Sequence, residues 1–293
     1  MAQSSVHTNP ASIAAKLSMS RAGTSSTKFS TQAATGYRIN GAADDAAGLQ
    51  IAGRLDGELS GMRVGIRNIS DAKFMLQTAE GAFQEMKDIM IRMKDLSMQA
   101  ANDTNSPADK KAMNDEFKEL HLELINTIQT TSYSGERLLH GSGVLSTTSG
   151  ANFQIGSASG AKLAVSLKDQ LKKLTDIIGL KPAEGFGKID LAASGGKIAT
   201  EGPMFAASGL IAGLSGLSAI RSKLGATINR LDHTSRNLEN MVSNTEKARG
   251  NLMDTDFAVT LTDLARSQML EQTSMAMLQK SNQSSQMILG LLR

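Results

Sequence analysis

Cysteine is absent from the 293-residue chain, and with it disulfides, thiolate metal sites and cysteine nucleophiles. Tryptophan is absent too, and aromatic residues make up only 3%, too few to fill a thick globular core. There are only four prolines, and none lies between Leu55 and Ala101. A block of like charge is missing: 31 basic and 28 acidic residues are spread along the chain, so the formal charge of +3 marks no nucleic-acid or membrane surface. No run approaches the ~20 apolar residues of a membrane span. Residues 1–23, MAQSSVHTNPASIAAKLSMSRAG, lack the basic region, apolar run and cleavage site of a secretory signal. The expectation is a chain that stays in the cytoplasm or is exported without a cleaved signal.

What remains for packing is Leu, Ile, Met and Ala, the supply of helical bundles and coiled coils. An elongated, mainly α molecule is expected. The series Ile69, Ala72, Leu76, Ala79, Phe83, Met86, Met90, Met93, Ser97 and Ala100 alternates steps of three and four, which places it on one helical stripe. Leu55, Leu59, Met62 and Ile66 begin the same seam, with a phase slip near Ile69. The polar run from Asn102 ends in Ser106-Pro107, an N-cap followed by proline at the first helical position. A second helix then carries Met113, Phe117, Leu120, Leu124 and Ile128, so the two form a helical hairpin.

The middle reads differently. SYSGERLLHGSGVL, NFQIG and AKLAVSL have β-type content bounded by glycines and predict short strands or a hairpin. Residues 176–204, with Pro182, Pro203 and many glycines, read as a surface loop. Helical spacing returns at Leu210, Leu214, Leu217, Ile220, Leu224, Ile228, Leu231, Leu238 and Met241, a stripe expected to fold back on the first two helices. Asp254-Thr255-Asp256 suits a helix start. Beyond it, Phe257, Leu261, Leu264, Met269, Met277, Leu278, Met287, Ile288, Leu291 and Leu292 give a terminal helix a broad apolar surface that needs a partner.

RINGAADDAAGLQIA at 38–52 resembles the signature of bacterial flagellins. MLQTAEGAFQEMKDIMIRMKDLSMQAANDTNS at 75–106, SYSGERLL at 132–139, MDTDFA at 253–258 and the final LGLLR support the resemblance in the family's order. IMIRMKDL is similar to lateral-type members. One departure is RAGTSSTKFSTQAATGYRIN at 21–40, where a glycine and a Ser/Thr cluster replace the family's apolar stripe and lower helix propensity, weakening the expected pairing of the terminal helices.

The resemblance implies a mainly α fold, a long antiparallel helical bundle or coiled coil of N- and C-terminal segments, with a small β-hairpin region in the middle. It implies a tube-lining inner domain at 1–44 plus 254–293, a helical rod with β-hairpin at 45–175 plus 205–253, and a short loop at 176–204 in place of outer domains. The implied function is a structural subunit that self-polymerises into the flagellar filament for motility, secreted by type III export, with no enzymatic activity and no cofactor. Implied partners are a homopolymer of many copies, the cap protein, hook-associated junction proteins, an export chaperone and Toll-like receptor 5. A hook–filament junction protein, a specialised minor flagellin and a secreted coiled-coil adhesin or effector remain alternatives.

Repeating a contact that does not close on itself generates an open helical array. The residues expected at that polymerisation interface are Ile288, Leu289, Leu291, Leu292, Leu261 and Leu264. The resemblance assigns an inter-domain spoke to Arg38, Asn40, Asp44, Asp45, Asp254 and Asp256, and receptor contact to Arg92, Leu96 and Glu116. The Leu291-Leu292-Arg293 end is similar to the segment sensed by inflammasome receptors. Asp44-Asp45 reads as a turn with helix-start carboxylates rather than an acid–base or metal pair. His7, His121, His140 and His233 are dispersed, and no zinc-protease or phosphate-loop pattern occurs.

Overall fold

A computed structural model describes residues 9–156, 160–178 and 203–291. The side chains at 176–178, 203–208, 285 and 288–291 lie outside that description. Six helices and four short strands follow one another among the described residues: α1 Pro10–Thr35, α2 Ala46–Ala100, α3 Pro107–Thr130, β1 Ser132–Tyr133, β2 Glu136–Arg137, β3 Ala151–Gln154, β4 Lys162–Val165, α4 Lys168–Ile178, α5 Pro203–Met253 and α6 Phe257–Leu291. Two compact units result, Met1–Leu59 with Ser243–Arg293, and Ser60–Val242. The divisions fall inside α2 and α5.

In the Ser60–Val242 unit the predicted stripes form the core. Leu76, Ala79, Phe83, Met86 and Met90 are fully buried on α2, with Phe117, Leu124 and Ile128 on α3 and Leu217, Ile220, Leu224 and Leu231 on α5. At about 25 cal/mol per Å² of apolar surface, each large side chain contributes roughly 1.5–3 kcal/mol. Ion pairs flank the core and fix antiparallel neighbours: Lys73 with Asp232, and Glu80 with Arg221 at 3.0 Å, join α2 to α5. The α3 start is a full capping box, in which Ser106 Oγ accepts from Asp109 N–H at 3.2 Å and Asp109 Oδ2 accepts from Ser106 N–H at 3.1 Å. The Ser106 hydroxyl and N–H hold the Asp109 carboxyl below its ordinary range.

The phase slip lies earlier than the sequence spacing placed it. Gly65 is buried and Ile66 only half-buried, so the seam steps from Met62 to Gly65 to Ile69. A Cβ on Gly65 would stand 3.1 Å from the Ile155 carbonyl, so the missing side chain admits the end of β3.

The middle segment forms two hairpins. β1 and β2 pair antiparallel through Ser134-Gly135, both at positive φ (54° and 86°), as a two-residue turn matched to strand twist requires. β3 and β4 pair with Ala151 opposite Val165. Leu138, Leu145, Leu163, Leu167 and Leu171 bury a small core beside them. Helix α4 was not foreseen in the sequence. The expected loop at 176–204 falls chiefly on 179–202, outside the described residues.

Candidate functional site

Two regions of the Met1–Leu59 and Ser243–Arg293 unit carry the residues singled out from sequence. The first is the connector between α1 and α2. Helix α1 ends at Gly36, whose φ of 75° is the left-handed conformation glycine adopts without strain, and whose N–H donates to Gln32 O at 2.9 Å. The chain then runs against the α5–α6 junction. Arg38 N–H donates to Met253 O at 2.6 Å, Thr255 N–H donates to Gly36 O at 2.9 Å, and Tyr37 bridges Asp254. Arg38 Nη2 reaches Leu252 O at 2.9 Å, and buried Gln32 donates from Nε2 to Arg38 O at 2.7 Å. Ile39, Ala52 and Met253 close a small apolar core under these bonds.

The carboxylates of Asp44, Asp45, Asp56 and Asp256 are already engaged. Asp45 caps α2, accepting from Gly48 N–H at 2.8 Å. Asp44 accepts from Asn40 N–H at 3.2 Å and pairs with Lys28 at 3.2 Å. Those two partners, the Asn40 N–H foremost, hold the Asp44 carboxyl below its ordinary range. Asp256 caps α6, accepting from Ala258 N–H at 2.9 Å and Val259 N–H at 3.3 Å. Arg249 pairs with Asp56 at 2.6 Å and lies 5.8 Å from the Tyr37 ring centroid. Among the described residues no group of three His, Cys, Asp or Glu is placed to hold a metal ion, and no helix is long and apolar enough to cross a membrane.

The second region is the α1–α6 pair. The helices run antiparallel, with Asn9 Nδ2 donating to Ser281 Oγ at 2.9 Å at one end and Gly36 meeting Thr255 at the other. α1 is a continuous helix through its Ser/Thr cluster and packs along α6. Thr24, Thr27, Thr31 and Thr35 each donate their hydroxyl to the carbonyl four residues earlier, at 2.9–3.0 Å. That arrangement satisfies the polar groups without leaving the helix.

The seam between these helices mixes small polar side chains with a few large apolar ones. The buried or half-buried positions of α6 are Thr260, Asp263, Leu264, Ser267, Glu271, Ser274, Leu278 and Ser281, with Thr260, Ser267, Ser274 and Ser281 recurring every seven residues, and those of α1 include Ser12, Ala15, Met19, Ala22, Ser26, Phe29 and Ala33. A Cβ on Gly23 would lie 3.7 Å from Glu271 Oε1, a mark of close helix approach. Other large apolar side chains point outward. Ile13, Leu17, Val259, Leu261, Met269, Leu270, Met277 and Met287 are all more than half exposed. Of the six expected interface residues, Leu261 is 53% exposed and Leu264 is half-buried on the seam side, one heptad before Glu271. The side chains of Ile288, Leu289 and Leu291 and the whole of Leu292 lie outside the described residues. Ile13, Leu17, Val259 and Leu270 escaped the sequence reading; the seven-residue recurrence of Ser and Thr was the available signal.

Arg92 and Glu116 sit in the other unit, across the α2–α3 hairpin. Arg92 Nε and Nη2 both donate to Glu116 Oε1, at 2.9 and 2.6 Å. Leu96, one turn on, is 3% exposed and belongs to the core.

Comparison with known proteins places this architecture. The profile of the bacterial flagellin N-terminal helical region matches residues 6–143, and that of the C-terminal helical region matches residues 212–292. Polar flagellin F of Vibrio parahaemolyticus is 41% identical over 163 residues, covering 56% of this chain and 42% of the relative. Flagellin C of Vibrio cholerae is 40% identical over 164 residues, with the same coverage of 56% and 42%. The chain thus spans less than half the length of these curated relatives. A structure provisionally titled as a flagellar hook-associated protein from Vibrio parahaemolyticus shares the fold, with a TM-score of 0.54 at 16% identity over 72% of this chain and 100% of that one. With both helical regions matched in order at its two ends, the chain belongs to the bacterial flagellin family.

Proposed function

We propose that this chain is a structural subunit that self-polymerises into the bacterial flagellar filament, outside the cell, for motility. The observation that carries the reading is the apolar outer face of the α1–α6 pair. Its internal seam holds Ser, Thr and Ala together with Met19, Phe29, Leu264 and Leu278, while Ile13, Leu17, Val259, Leu261 and Leu270 still face outward. Exposed apolar area of that extent on a helical pair favours burial against further copies. The names of the relatives, polar flagellin and flagellin, support it.

In this reading residues 1–44 with 254–293 line the tube, and 45–175 with 205–253 form the rod. The connector residues Arg38, Asn40, Asp44, Asp45, Asp254 and Asp256 act as the spoke. Ile288, Leu289, Leu291, Leu292, Leu261 and Leu264 join the polymer contact. The cap protein, hook-associated junction proteins and an export chaperone are its partners, and Arg92 and Glu116, without the buried Leu96, form the contact for Toll-like receptor 5. The chain acts through packing, with no catalytic step.

Electron microscopy of the purified monomer, concentrated with a precipitating salt and sheared seeds, tests the reading. Long tubes of uniform width are the expected result. Persistent monomers that extend neither their own seeds nor those of a sister flagellin would overturn it in favour of a junction protein or a specialised subunit.

A further inference from the structure

The methionines differ widely in exposure, and Met275 on α6, at 49%, lies between the extremes. In the Ser60–Val242 unit Met62, Met86, Met90 and Met93 are 0–2% exposed. On α6 Met269, Met277 and Met287 are 60, 61 and 65% exposed. At about 100° per residue these three lie within roughly one quadrant of the helix, on the side away from the Thr260–Ser267–Ser274 seam. Leu270 borders that sector, about 100° from Met269, and is 54% exposed, so an apolar side chain flanks the thioethers.

We propose that Met269, Met277 and Met287 form an oxidation site whose modification by a peroxide disables the outward face of α6. The thioether lone pair attacks one peroxide oxygen, the O–O bond breaks and an S–O bond forms. A proton passes to the departing oxygen, which leaves as water from hydrogen peroxide or as an alcohol from an alkyl peroxide. Sulfur loses two electrons and the peroxide gains them. Susceptibility follows access, so the buried core methionines are protected. The product is polar and chiral where an adaptable apolar group stood, and it keeps its water when a neighbour approaches. The reaction is reversible by methionine sulfoxide reductases, with one enzyme needed for each epimer. The consequence for assembly rests on the polymerisation reading above; the site itself does not.

The full-length chain is exposed to limiting hydrogen peroxide, digested, and each methionine quantified by mass spectrometry. Sulfoxide is expected at Met269, Met277 and Met287 several-fold sooner than at Met86, Met90 and Met93. Equal rates at the two sets would overturn the site, whether or not the chain assembles. In parallel, oxidised chain is added to seeds. Loss of elongation, its recovery after treatment with both reductases, and persistence of elongation in a peroxide-treated Met269→Leu, Met277→Leu, Met287→Leu variant are expected. Elongation of the oxidised wild type at the untreated rate, or no recovery after repair, would overturn the effect. Met98 and Met241, exposed by 59% and 46% outside α6, are the comparison: replacing them by Leu leaves the sensitivity unchanged. Failure of the untreated chain to elongate would instead count against the filament reading, and the sulfoxide map would still decide the site.

Discussion

Asn68 Nδ2 donates to the Gln154 carbonyl at 3.0 Å, tying the side of α2 to the last residue of β3. Gly65, nearly one turn earlier, leaves the space that the Ile155 carbonyl and Gly156 N–H occupy, 3.1 and 3.2 Å from an added Cβ. The neighbouring atoms are backbone and cannot swing aside. Gly65→Val is therefore expected to destabilise the Ser60–Val242 unit by about 1–3 kcal/mol, the range for overpacking. Asn68→Ala should cost about 1 kcal/mol, for one lost hydrogen bond. Urea unfolding followed by circular dichroism reads both.

Gly48 lies in the first turn of α2, where alanine would ordinarily gain about 1 kcal/mol in helix propensity. Here a Cβ would stand 2.5 Å from Asp45 Oδ2 and 2.8 Å from Ile39 Cδ1. Gly48→Ala should therefore displace the cap and lower stability by about 1 kcal/mol rather than raise it. A rise in the urea midpoint would refute the steric account.

Leu17 and Leu270 face outward on α1 and α6, 51% and 54% exposed. A Leu17→Ser, Leu270→Ser variant should leave monomer stability within about 0.5 kcal/mol, as surface changes usually do. Seeded elongation should nevertheless fall sharply. Equal loss of both would place these side chains in the monomer's own packing instead.

Burial lowers the His121 pKa below its ordinary 6.5. A histidine kept neutral by the fold contributes stability that is fully present above the unfolded value and is lost as pH falls from there toward the folded one. His140 is lowered also, by burial and by Arg137, and adds in the same direction. Urea midpoints at about pH 7.5 and about pH 5.5 should differ in the wild type, and His121→Gln should shrink that difference.

The Arg92–Glu116 pair is exposed on both sides, 56% and 46%, so solvent screens it. An Arg92→Asp, Glu116→Ala variant should shift stability by no more than about 1 kcal/mol. Signalling by the soluble monomer in Toll-like receptor 5 reporter cells is expected to drop. Unchanged potency would remove these residues from the proposed contact.

The long stripes were legible because spacing alone fixes them: Ile69 to Met93 repeats at helical period, and the same residues form the buried core. Ser106-Pro107 was legible for a similar reason, since capping is local chemistry. Helix α4 was missed because its eleven residues are short and Lys-rich, and Leu167, Leu171 and Leu174 find their burial against a β region that spacing cannot place. The slip to Gly65 was hidden because the residue that fills the gap, Ile155, lies ninety positions away. For α6 the apolar content was visible but its direction was not. Leu261 and Leu264 differ by less than one turn, yet one faces out and the other lies by the seam. Choosing between faces required knowing along which side the partner helix lies.

The four threonine hydroxyls that fold back onto α1 carbonyls have an effect beyond local geometry. A free hydroxyl must shed bound water before anything can cover it, which ordinarily opposes contact. These already donate their proton to a carbonyl four residues back and have only lone pairs left for water. A segment that reads as hydrophilic in composition thus meets its donor requirement within its own helix, and neighbours that enclose it have fewer donors to satisfy.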